Sequence, residues 1–83
     1  MVTKELVMKD FTRMDASPAA MLVQLASKFD SSVYVDQAKK RTNAKSIMGV
    51  MILNFAAGTK ATVTVDGPDE TAALAEIEQF LES

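Results

Sequence analysis

Apolar residues recur at two different periods along this chain, and the order in which those periods alternate restricts its fold more than any other feature. Ala19, Leu22, Val23 and Ala26 fall at i, i+3, i+4 and i+7, which is one face of a helix. Leu74, Ile77, Phe80 and Leu81 make a second helical stripe near the C-terminus. Thr62, Val63, Thr64 and Val65 alternate at period two, so residues 60–65 read as a strand with one buried face. Residues 2–8 alternate more loosely, with Val2, Leu6 and Met8 opposite Thr3, Glu5 and Lys9. Residues 33–36 form a short β-branched and aromatic strand, and a turn at Gln37-Ala38-Lys39 leads to another over 40–42. With a short helix after Ser46, the order is β-α-β-β-α-β-α. Strands then share one layer and helices the other, predicting an α+β open-faced sandwich. A ferredoxin-like domain is the competing arrangement.

Punctuation supports this division. Ser17-Pro18 offers a capping hydroxyl followed by proline at the first helical position, where its missing N–H costs nothing. Asp30-Ser31-Ser32 stops that helix, and Ala56-Ala57-Gly58 and Asp66-Gly67-Pro68 turn the chain. Asp69, Glu70 and Thr71 supply caps and first-turn acids for the last helix. Ser46 is an N-cap residue for the short helix between the third and fourth strands. The next turn and a half carries Ile47, Met48, Val50, Met51, Ile52 and Leu53, too many apolar positions for one buried stripe. Part of that surface must face water. Val50 and Leu53 are expected inside, Met48 and Met51 outside, with Met21 and Leu25 of the first helix widening the exposed patch.

Composition closes several functional classes. The chain has 83 residues and no cysteine, so neither disulfide nor thiolate metal site supports it, and residues 1–83 are expected to fold as one domain around Val, Leu, Ile, Met, Phe and Ala. A net charge of −2 provides no general attraction to nucleic acid or anionic lipid. Lys39-Lys40-Arg41 falls well short of a nucleic-acid footprint and reads as a solvated turn. There is no apolar run long enough for a membrane span and no signal-peptide pattern, so a soluble, cytoplasmic protein is expected. Nothing in the sequence asks for a cofactor or a metal.

The segment Asn43-Ala44-Lys45-Ser46-Ile47-Met48-Gly49-Val50-Met51 resembles the regulatory-serine segment of HPr, the phosphocarrier of the bacterial phosphoenolpyruvate-dependent sugar phosphotransferase system. Pro18-Ala19-Ala20, Leu22-Val23 and Ala26-Ser27-Lys28-Phe29 extend the resemblance at the family's spacing, over nearly the whole chain. It implies four antiparallel strands covered on one face by three helices. It also places the family's loop pattern, Gly–apolar–His–Ala–Arg–Pro, on Arg13 through Pro18. The phospho-accepting histidine then corresponds to Asp15 and the partner arginine to Ser17. The chain contains no histidine at all.

A phosphohistidine relay needs an imidazole nitrogen, with N–H groups and a cation neutralising the phosphoryl charge. Asp15 supplies no such nitrogen and Ser17 no such charge. Three readings of Asp15 stay open: a helix cap shared with Ser17, an acyl-phosphate nucleophile, or a fixed negative charge in place of a phosphoryl group. The second generally leans on Mg²⁺ and further carboxylates, and the only acid close in sequence is Asp10.

The resemblance also implies that Ser46 is the site of an ATP-dependent HPr kinase, whose product docks on a catabolite-control regulator; the residue's other role is a plain N-cap. A phosphate there would meet the N–H groups of a helix start, with Lys45 beside it and Lys39, Lys40 and Arg41 nearby. Ala20, Met21, Ile47, Met48 and Met51 match the family's docking surface for kinase, regulator and phosphotransferase-system proteins. The expected function is therefore regulatory docking within that system, with no enzymatic activity of its own. The alternatives are a phosphoryl carrier using Asp15, or a drifted or engineered HPr serving as a passive binding module.

Overall fold

The computed structural model describes residues 1–82. Its elements run β1 (Val2–Val7), α1 (Pro18–Ser27), β2 (Ser32–Gln37), β3 (Lys40–Asn43), α2 (Ile47–Val50), β4 (Lys60–Asp66) and α3 (Glu70–Leu81). The sheet order is β1-β4-β2-β3, and every pairing is antiparallel. The last strand therefore lies between β1 and β2, an arrangement that needs pairing across most of the chain and that local periodicity cannot specify.

Period two sorts the sheet into two faces. Leu6, Val33, Val35, Ala61, Val63 and Val65 are buried beneath the helices. The other face is polar: Thr3 donates to the hydroxyl of Thr64 at 3.3 Å. On it Arg41 forks onto Asp36 at 2.9 and 3.1 Å and lies 5.1 Å from the Tyr34 ring centroid. α1 and α3 contribute Ala19, Leu22, Ala26, Ala73, Ile77 and Leu81 to the same core. Each fully buried Leu, Ile or Val side chain stabilises by roughly 1.5–3 kcal/mol relative to exposure.

Several side chains sit differently from what their spacing suggested. Val23, Leu74 and Phe80 are only half-buried at the rim, and Ala73 takes the deep position, giving an i, i+4, i+8 stripe with Ile77 and Leu81. Small residues go where helix and sheet approach most closely. Leu25 packs partly against the core rather than widening the exposed patch, while Met21 does stay 39% exposed. β1 ends at Val7, and Met8 continues as a lone bridge to Glu82. There Phe11 meets Phe55 edge to face at 5.8 Å and Phe80 at 5.5 Å, with the Lys9 ammonium 5.6 Å from two of these rings. That cluster closes one end of the core.

The last helix begins in an unexpected way. Asp69 occupies its N-cap position, but the carboxylate does not cap α3. It accepts from the amides of Asp30 and Ser31 at 2.9 and 3.0 Å and from the Ser31 hydroxyl, and that hydroxyl accepts from the Asp69 amide at 3.2 Å. Close approach of the two turns requires Gly67, because a Cβ there would lie 2.6 Å from the Ser31 Cα.

Candidate functional site

The segment from Asn43 to Val50 is anchored residue by residue. Asn43 ends β3, and its side-chain oxygen accepts from the Lys45 amide at 2.9 Å while its carbonyl accepts from the Ser46 amide at 3.0 Å. Ala44 is fully buried, with its amide donating to the Val33 carbonyl at 2.9 Å, so the sheet ladder reaches into the loop. Lys45 then extends its ammonium to the Phe29 carbonyl at 2.7 Å, just past the end of α1. Ser46 comes next with an extended backbone, and its hydroxyl accepts from the Gly49 amide at 3.4 Å. That is a loose cap by hydrogen-bond geometry, on an exposed side chain. Gly49 lets α2 approach β3: a Cβ there would be 3.1 Å from a Thr42 methyl carbon.

Once α2 is seated this way, its outward face is set. Val50 is fully buried and Leu53 half-buried, as their spacing predicts. Met48 is 80% exposed, Met51 69%, Ile52 59% and Ile47 45%. Ile47, Met48, Met51 and Ile52 thus present one apolar surface to solvent over α2 and the turn that follows it. α1 packs beside α2 and brings half-buried Ala20 and exposed Met21 to the site. Ile52 is the member that sequence reasoning left out of the docking set, although its position four residues after Met48 carried the signal.

The loop before α1 resolves one alternative. Ser17 caps the helix, accepting from the Ala20 amide at 3.3 Å with Pro18 at the first helical position. Asp15 stands two residues earlier on an exposed bend. Asp10 is held elsewhere, accepting from the Thr12 amide at 2.8 Å, and its carboxyl lies below the usual value because of hydrogen bonding to Thr12. Among the described residues, no group of three or more His, Cys, Asp or Glu side chains converges as a metal site would require.

Of the cations expected near Ser46, Lys40 shares the face of β3 that Thr42 occupies and lines a depression with Ile52, whereas Arg41 is placed away from the site. Lys45 is engaged with the Phe29 carbonyl. Arg41 projects from the polar face of the sheet, where its contact with Asp36 holds its pKa above the ordinary value, while the neighbouring Thr42 faces the helices and is buried. Alternation along β3 puts Arg41 and α2 on opposite sides. Lys39 lies in the β2–β3 turn. A surface depression of about 230 Å³ separates that turn from the segment after α2 and is lined by Gln37, Thr42, Ile52 and Asn54 among others. It is small beside ligand pockets of roughly 300–1,000 Å³. The working feature here is a convex apolar surface with an exposed serine at its edge.

A family model described as "PTS HPr component phosphorylation site" matches residues 2–83. The chain belongs to the HPr family. It is 42% identical over 83 residues to the phosphocarrier protein HPr of Treponema pallidum (strain Nichols), covering all of this chain and 94% of that one. It is 39% identical over 82 residues to the HPr-like protein Crh of Halalkalibacterium halodurans, covering 99% of this chain and 98% of the relative. The crystal structure of HPr from Bacillus anthracis str. Ames superposes with a TM-score of 0.88 at 33% identity, covering 98% of this chain and 96% of that one. The open-faced sandwich is thus the HPr fold, and the ferredoxin-like alternative falls. Membership ties the chain to the phosphocarrier proteins of the phosphotransferase system and their HPr-like relatives. No helix among the described residues is long and apolar enough to cross a membrane.

Proposed function

We propose that this chain, acting as one HPr-like domain over residues 1–83, is a cytoplasmic regulatory docking protein of the phosphotransferase system and not a histidine-type phosphocarrier. The observation that carries this reading is an exposed apolar surface, with Met48 80% and Met51 69% in solvent, on a chain that contains no histidine. Contiguous exposed apolar side chains beside polar residues are a feature of protein interaction sites, which supports this reading. Ala20, Met21, Ile47, Met48, Met51 and Ile52 would meet the partner, with Asp15 in the family's histidine place and Ser17 in that of its arginine. The partners are those implied by the resemblance: HPr kinase, a catabolite-control regulator, and proteins of the phosphotransferase system.

Ser46 is the switch in this proposal. Its exposed and weakly bound hydroxyl is open to an ATP-dependent kinase. A phosphate monoester would add close to two negative charges at the edge of an apolar surface. The fold would change little, because Val50 and Ala44 anchor the segment from below. The charge would select partners that offer arginine or lysine beside an apolar groove.

The test is phosphoryl acceptance in two separate reactions, followed by the mass of the intact protein. HPr kinase with ATP is expected to add one phosphoryl group that survives hydroxylamine, and a Ser46→Ala variant is expected to take none. Phosphoenolpyruvate with the first enzyme of the system is expected to add nothing. A hydroxylamine-labile product in that second reaction would assign an acyl phosphate to Asp15 and replace this proposal with the carrier reading. Label entering Ser46→Ala from the kinase would sink the switch.

A further inference from the structure

The chain has six methionines and no cysteine, so its thioethers are the sulfur atoms that an oxidant can reach. Their burial divides them sharply. Met48 and Met51 are 80% and 69% exposed at the centre of the α2 surface, and Met21 is 39% exposed beside them. Met1 is 75% exposed at the start of the chain, away from this surface and beside Glu70, whereas Met8 is sealed in the core at 0% and Met14 is packed partly against that core. We propose that Met48 and Met51 form a reversible oxidation site through which peroxide detaches this surface from its partners. The proposal deepens the docking reading above and rests on it for its regulatory half.

The chemistry is a two-electron transfer. The sulfur lone pair attacks one oxygen of hydrogen peroxide, the O–O bond breaks, and an S–O bond forms. The proton on the transferred oxygen passes to the departing hydroxide, leaving methionine sulfoxide and one water. Sulfur is oxidised and peroxide reduced, and a thioredoxin-coupled methionine sulfoxide reductase reverses the change. A flexible, polarizable apolar side chain thereby becomes a polar one with a strong hydrogen-bond acceptor. On this chain the change would put two polar tips into the apolar surface, leaving Ile47 and Ile52 as its exposed isoleucines. The core is spared, because Met48 and Met51 project into solvent while Val50 carries the packing of α2.

The experiment uses limited hydrogen peroxide on the whole protein, peptide mass mapping of sulfoxides, and titration of HPr kinase as the binding probe. Met48 and Met51, together with the exposed Met1, are expected to gain one oxygen each well before Met14, with Met8 untouched while the circular dichroism stays native. Kinase affinity is expected to fall roughly tenfold and to return after reductase treatment. In a Met48→Leu/Met51→Leu variant, whose own kinase affinity is measured first as its reference, peroxide should cause no further loss. Sulfoxide at both positions with affinity unchanged would overturn the proposal, as would equal loss in the leucine variant. So would Met8 oxidising as fast as Met48. If the unoxidised protein binds no kinase, the docking reading fails and the regulatory half falls with it. The mass map then still decides the selective oxidation site.

Discussion

Asp69 and Ser31 hold each other across 38 positions of chain, the carboxylate accepting from the serine's amide and hydroxyl while that hydroxyl accepts from the Asp69 amide. The pair joins the turn after α1 to the start of α3. Hydrogen bonds from Ser31, and then from the Asp30 amide, hold the Asp69 carboxyl below its ordinary value. An unfolded aspartate binds its proton near pH ~3.9. The folded state resists protonation there, so stability is complete above that range and falls as pH drops through the lowered native value. Asp69→Asn should flatten that acid limb, read as Tm against pH between roughly 2 and 6. Ser31→Ala, which strips a fully buried hydroxyl, should cost about 1–2 kcal/mol at neutral pH. Identical acid limbs in the wild type and Asp69→Asn would show that the carboxylate carries no part of the pH dependence.

The β2–β3 hairpin turns through Ala38 and Lys39 with φ of +49° and +67°. A two-residue connection with positive φ at both places suits Asn or Gly, and left-handed backbone costs an ordinary residue roughly 1–2 kcal/mol. Lys39→Gly should therefore stabilise the protein by about 0.5–1 kcal/mol after the added freedom of the unfolded chain is counted. A rise of several degrees in Tm should accompany it. An unchanged or lower midpoint in urea would mean that the turn stores no such strain.

Ser17 caps α1 and Asp15 does not, so the two substitutions should separate. Ser17→Ala is expected to cost about 1 kcal/mol, and Asp15→Ala less than about 0.5 kcal/mol. Asp15→His returns an imidazole to an exposed bend. It should accept phosphoryl from phosphoenolpyruvate and the first enzyme, which the proposed function denies to the wild type. Adding Ser17→Arg should speed that transfer while sacrificing the cap. No labelling of either variant, in protein that remains folded, would mean the loop itself no longer presents the position.

Gln37 reaches from β2 to the segment after α2, donating to the Asn54 carbonyl at 2.9 Å and accepting from the Asn54 amide at 2.9 Å. This imitates one rung of strand pairing and ties the far end of the apolar surface to the sheet. Gln37→Ala should cost about 1 kcal/mol and raise hydrogen exchange at the Asn54 amide selectively. Uniform exchange changes across the domain would indicate a global effect instead.

Local signals read correctly for the elements and for most of their faces, although Val23, Leu25, Leu74 and Phe80 took rim positions that spacing did not assign. The helices, the Ser17 and Ser46 caps, the burial of Val50 and the exposure of Met48 and Met51 are set by spacing, because a helix turn or a strand pleat decides which way each side chain points. The resemblance over residues 43–51 supplied the family, which the matching model bears out. Other features needed contacts between distant segments. Asp69 resembles an N-cap by every local rule, yet Gly67 lets Ser31 come close enough to take its carboxylate. Lys45 and Arg41 lie near Ser46 in sequence, yet one is drawn to Phe29 and the other placed across the sheet by strand alternation. The insertion of β4 between β1 and β2 likewise depends on which strand edges meet, and no run of local residues encodes that choice. Chain order and side-chain period therefore determined the elements and their wet and dry faces. Only the assembled tertiary structure decided which polar groups pair, because a charge or hydroxyl bonds to whatever the fold brings within about 3 Å.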